Sequence, residues 1–87
     1  MKFKEYEAYK YVRLKSDEFR FTTLVAFGNT HRDLVKAGEI AISAGTISIY
    51  PKHFSLLNGG SESLHIYGTK DDDFPLLEKV IGKPFKE

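Results

Sequence analysis

Tyr9, Tyr11 and Arg13 alternate along the first segment of this 87-residue chain, and Arg20 stands in the segment that follows. If Ser16-Asp17 is a two-residue turn, Arg13 lies opposite Arg20, Tyr11 opposite Thr22 and Tyr9 opposite Leu24. Like charges facing each other across a ladder repel mildly, and such a pair is easier to understand if something acidic sits over it. Tyr and Arg dominate protein-binding hot spots and also stack on bases. Tyr9, Tyr11, Arg13 and Arg20 are therefore the candidate partner-binding face. The plainer alternative is a solvated face whose arginines splay apart. The aromatic and glycine pattern of the RNA-binding sheet is absent.

A second candidate is Thr30-His31-Arg32, just after Gly28. A strand, a glycine and a helix start can present backbone N–H groups to an anion. Cationic side chains are disfavoured at a helix N-terminus, and a bound phosphate or carboxylate would remove that conflict. A histidine there could also act as a general acid or base near neutrality. The alternative is that Thr30 caps the helix while His31 and Arg32 point to water. The glycine content falls far short of a phosphate-binding loop.

Three further groups have simpler explanations. His53 and His65 would be diagonal neighbours if Phe54 paired with Ile66, but a zinc site needs a third ligand, and none is evident by spacing. Asp71-Asp72-Asp73 lacks the spaced pattern of a calcium loop and suits a helix start. Asn58-Gly59-Gly60-Ser61 reads as a hairpin turn, with a phosphate-contacting loop as the alternative. No G-x-S-x-G elbow occurs. No catalytic residue, metal or cofactor is therefore expected.

The elements that must position these residues follow from periodicity. Tyr6, Ala8, Val12 and Leu14 share one face of the first segment, with Lys10 the exception, and Phe19, Phe21, Thr23, Val25 and Phe27 alternate in the second. The two form a hairpin in which Leu14 faces Phe19 and Val12 faces Phe21. A short helix ending at Gly38 follows. Glu39 to Tyr50 reads as a hairpin turning at Ala44-Gly45. Phe54 and Leu56 suggest another strand, and Ser63 to Tyr67 one more. Acidic residues and Pro75 open a final helix that Gly82 and Pro84 close. The fold class predicted is α+β: a single compact domain over 1–87 with a mainly antiparallel sheet of five or six strands, a short middle helix and a C-terminal helix (β-β-α-β-β-β-α). Its core should hold Val12, Leu14, Phe19, Phe21, Val25, Phe27, Leu34, Ile40, Ile42, Ile47, Ile49, Leu64, Ile66, Leu77, Val80 and Ile81.

Composition narrows the function classes. Thirteen basic against twelve acidic residues leave a formal net charge of +1, too little for a general grip on nucleic acid. Cysteine is absent, which removes disulfides and thiolate chemistry and favours an intracellular, cytoplasmic home. No apolar run reaches membrane-spanning length and no signal peptide is expected.

Asp33-Leu34-Val35-Lys36-Ala37-Gly38, Ala44-Gly45-Thr46-Ile47-Ser48 and Leu64-His65-Ile66-Tyr67-Gly68 resemble segments of the janus-type phosphohistidine phosphatases. In that family a helix ends in glycine, a Gly-rich turn follows, and a strand ending in Tyr-Gly leads to the phosphate-binding loop. The resemblance covers roughly the middle half of the chain and implies phosphate-directed chemistry. Thr23 stands where the family's catalytic histidine would align, and Asp71-Asp72-Asp73 follows where phosphate would bind.

The leading expectation is a small non-enzymatic binding or regulatory module acting on a protein partner, such as an inhibitor or accessory protein of a mobile element. One alternative is a phosphate-directed enzyme or phospho-ligand binder using Thr30, His31 and Arg32. Another is a nucleic-acid-binding domain using the Tyr/Arg face. A homodimer through a strand edge is a further partner mode; no membrane partner is expected.

Overall fold

Alternating side chains make Ala8–Ser16 a strand, β1, and its central place in the sheet governs the packing. The structure, a computed structural model, describes residues 3–16, 24–62, 64, 66 and 71–87. Strands β2 (Leu24–Gly28), β3 (Glu39–Ile49) and β4 (Phe54–Gly59) complete an antiparallel sheet of order β2-β1-β3-β4. A three-residue 3-10 turn spans Arg32–Leu34, and helix α1 spans Asp73–Ile81. The architecture is α+β, with four strands and one α-helix among the described residues.

Because β1 is central, both of its faces are covered. Tyr11 packs with Ile47, Ile49, Phe54 and Leu77 on the helix side. Val12 and Leu14 pack with Ala44 on the other, where Leu34, Val35, Leu64 and Ile66 close over them. Full burial of each large apolar side chain contributes about 1.5–3 kcal/mol.

Two bulges set the side-chain directions. Arg13 pairs with Ser43 but Leu14 with Ala41, so Ile42 is an extra residue in β3. Thr46 pairs with Asn58 but Ile47 with Leu56, so Leu57 is an extra residue in β4. An extra residue reverses the alternation beyond it.

Helix α1 turns Phe74, Leu77 and Ile81 toward the sheet. Gly82 ends it in the left-handed region at φ 79°, with its N–H donating to the Glu78 carbonyl. Only nine residues long, the helix depends on packing for its stability. The anchor is Asp73, 1% exposed. Its Oδ2 accepts from the Tyr11 hydroxyl at 2.9 Å, and its Oδ1 from the Ser43 hydroxyl at 2.7 Å and Arg13 Nη1 at 3.1 Å. Arg13 also meets Asp72 at 3.0 Å. Burial lowers the Arg13 pKa, but hydrogen bonds and charge from Asp72 and Asp73 outweigh it, so the net shift is upward. A raised pKa on a cation stabilises below the unfolded value and is lost only as pH rises through the folded one. For arginine that window lies far above neutrality.

Several expectations need correction. Residues 39–49 form one strand rather than a hairpin. Ala44 and Gly45 are small because Ala44 packs beneath Val12 and the Gly45 carbonyl receives a side chain, not because the chain turns there. The middle helix contracts to the 3-10 turn, and no side chain caps it. Gly28 serves a close approach instead: a Cβ there would lie 2.9 Å from Leu34 Cδ2. β1 and β2 pair Leu14 with Leu24 and Arg13 with Val25, five residues from the predicted register. The connection is therefore longer than a tight turn. Phe19 and Phe21 lie outside the described residues, as does most of the strand expected at 63–67; Ser61 and Ile66 make a single antiparallel bridge. Ile40 and Val80, expected in the core, are 66% and 52% exposed. The bulge at Ile42 puts Ile40 beside Lys15 at the strand's end, and Val80 sits off the inward stripe of α1.

Asp73→Ala should cost about 3–5 kcal/mol in urea unfolding, since it strands a mostly buried arginine and two hydroxyls. Asp72→Ala removes an exposed carboxylate and leaves Arg13 its contact with Asp73, so it should cost less than about 1 kcal/mol. Similar losses for the two variants would contradict this account of the anchor.

Candidate functional site

The expected partner-binding face is largely interior. Tyr11 is fully buried, and the side chain of Arg13 keeps only 15% exposure. Tyr9 is half-buried, with its hydroxyl accepting from the Lys4 N–H and its ring edge-on to Phe3. Arg20 lies outside the described residues, and Arg13 pairs with Val25 rather than with Arg20. The acidic group expected above Arg13 exists, but it belongs to the chain's own helix start. Tyr11 and Arg13 are thus spent on the fold.

The second candidate fares differently. Thr30 and Arg32 are exposed, and a three-residue 3-10 turn has too little dipole to hold an anion. His31 is 5% exposed and lines a cleft of about 520 Å³ on the sheet face opposite α1. Lys10 from β1, Thr46 from β3 and Asn58 from β4 form its floor. The turn from Gly59 to Glu62 forms one wall.

Each placement has a local cause. Lys10 is the cation that interrupts the apolar face of β1, and it does so at the cleft. The bulge at Leu57 puts Asn58 on the same face as Thr46 while Leu56 stays on the helix side. Gly60, at φ 82°, turns the chain back, donating its N–H to the Ala44 carbonyl. Ser61 and Ile66 then exchange backbone hydrogen bonds and fix the wall.

His31 Nε2 lies 2.8 Å from the Gly45 carbonyl oxygen. A carbonyl only accepts, so Nε2 must carry the hydrogen. The bond holds the ring across β3 and leaves Nδ1 as the ring's other polar atom. Lys10 adds a cation, Thr46 and Ser61 add hydroxyls, and Glu62 adds an exposed carboxylate at the rim.

Sequence reasoning flagged His31 and the Asn58–Ser61 turn separately, and the structure brings them together. It missed Lys10, Thr46 and Glu62. The signal for Lys10 was its intrusion into an apolar face; nothing in the spacing marked the other two. His53 stacks on Tyr50 at 4.8 Å, and His65 lies outside the described residues. Among the described residues no three His, Asp or Glu side chains converge as metal ligands.

Two of the segments that resemble the phosphohistidine phosphatases adopt other structures here, and most of the third, 64–68, lies outside the described residues. Asp33–Gly38 holds only the end of the 3-10 turn, and Ala44–Ser48 runs inside β3. No family model, curated protein or solved structure matches the chain.

A long-range proton–nitrogen correlation spectrum of neutral His31 should show the hydrogen on Nε2. A dominant Nδ1–H tautomer would contradict the Gly45 contact.

Proposed function

We propose that this chain is a small binding domain whose cleft takes a compact anionic group with phosphate-like chemistry. The observation that supports this best is the convergence of a buried, oriented imidazole with Lys10 and a glycine-bearing turn. Lys10 would supply a point charge beside the imidazole that the Gly45 carbonyl holds in place. Hydroxyls of Thr46 and Ser61 suit phosphate oxygens as additional donors. Gly59 and Gly60 carry no side chain that would obstruct the approach. Glu62 on the rim disfavours polyanions, so a single phosphate group fits better than a chain of them. The reading concerns binding; no reaction is assigned to the cleft.

Titration of the labelled chain with inorganic phosphate should shift amide signals at His31, Thr46 and residues 58–62 saturably. Lys10→Gln should weaken binding by roughly tenfold, equivalent to about 1.4 kcal/mol. Absence of shifts in this cleft at millimolar phosphate and low salt would defeat the proposal.

A further inference from the structure

A second cleft, of about 450 Å³, opens on the helix side of the sheet and has a different chemistry. It is lined by Leu56, Gly59, Asp71, Phe74, Phe85 and Glu87. Phe74 and Phe85 stack with ring centroids 4.0 Å apart and planes 12° apart, and both remain partly exposed. Phe85 also leans on the buried Phe54 at 5.6 Å, which ties this aromatic wall to the core. Asp71 and Glu87 are exposed, and among the described residues no basic one lines the cleft.

An occupant must satisfy both walls. A purely apolar group would take water from two carboxylates without replacing their hydrogen bonds. An anion would be repelled. A compact ammonium would also be drawn to an aromatic face, but it is strongly hydrated and has no plane to stack on the rings. A guanidinium is planar, weakly hydrated, able to stack on rings and able to meet a carboxylate with two parallel donors.

The cleft also adjoins a sheet edge. β4 is an outer strand, and residues 84–86 cover its first two residues: the Phe54 N–H donates to the Pro84 carbonyl, the Phe54 carbonyl accepts from the Lys86 N–H, and the Ser55 hydroxyl donates to the Lys86 carbonyl. Beyond that bridge, Leu56, Leu57 and Asn58 have no outer backbone partner among the described residues. An extended peptide can add to such an edge, with main-chain hydrogen bonds for affinity and a side-chain pocket for specificity. Leu56 and Gly59 belong to both the edge and the cleft.

We infer that this cleft receives an arginine side chain from an extended segment of a partner protein that pairs along β4. The site is separate from the anion cleft and does not depend on it.

The test is NMR titration of the full chain with a short, end-blocked peptide carrying one central arginine flanked by valine and threonine. The same peptide with citrulline, which keeps the shape and loses the charge, is the control. Saturable shifts are expected at the Phe74 and Phe85 rings and at Leu56 and Leu57. Citrulline should weaken binding by roughly tenfold or more, and so should Glu87→Gln combined with Asp71→Asn, at an unchanged melting temperature. Equal binding of the citrulline peptide would overturn the inference, as would no shift at millimolar peptide. The same shifts appearing with rising protein concentration alone would overturn it in favour of a second copy of the chain. Signals of His31 and Ser61 report the other cleft, so the two proposals fail separately.

Discussion

A carboxylate with almost no access to water has to be held by donors, and Asp73 is held by three side chains from the two central strands. Tyr11 and Arg13 reach it from β1 and Ser43 from β3. A helix of nine residues has little stability of its own, and apolar contact alone is non-directional. The bonds to Asp73 fix where the helix begins and thus which of its side chains meet the sheet. Leu77 then falls one turn further along, over Ile47 and Ile49. The cost of burying the charge is offset only because the arginine shares its burial. Such a device contributes more to a unique arrangement than to raw stability.

That anchor also explains why the Tyr/Arg alternation misleads. Period-two spacing shows that a segment is a strand, but it does not say which face is inside when both are covered. In β1 the even positions look like the core face and the odd positions like a surface, since tyrosine and arginine are often exposed. The odd face becomes interior only because Asp73, sixty residues away from Arg13 in the chain, supplies a partner for the polar groups. An acid above Arg13 was argued from Arg13 facing Arg20, whereas Arg13 faces Val25 and meets an acid for a different reason, the helix start at Asp72 and Asp73.

Features set by local chemistry were the most legible. The helix at 73–81 is punctuated by acidic residues, Pro75 and Gly82, all within a few positions of its ends. Val12, Leu14, Ile47, Ile49 and Leu77 were recognisable as core from alternation and helical spacing. What failed depended on long-range contact. Ala44-Gly45 looks like a turn, yet small residues serve equally where a strand is packed tightly on both sides. The β1–β2 register rests on the length of a connection that composition does not reveal. The cleft at His31 depends on the bulge at Leu57, because without it Asn58 would point to the other side of the sheet.

The bulge has a further consequence for a chain whose formal charges nearly cancel. A net charge of +1 describes the sum and hides its distribution. Lys10 and His31 line a cleft on one face of the sheet, while Asp71 and Glu87 line a cleft on the other. The two clefts meet at β4. Leu56 and Asn58 flank the extra residue of β4 and face opposite clefts, and Gly59 lines both. The bulge in β4 thus gives one thin sheet two clefts of opposite chemistry without either needing the other.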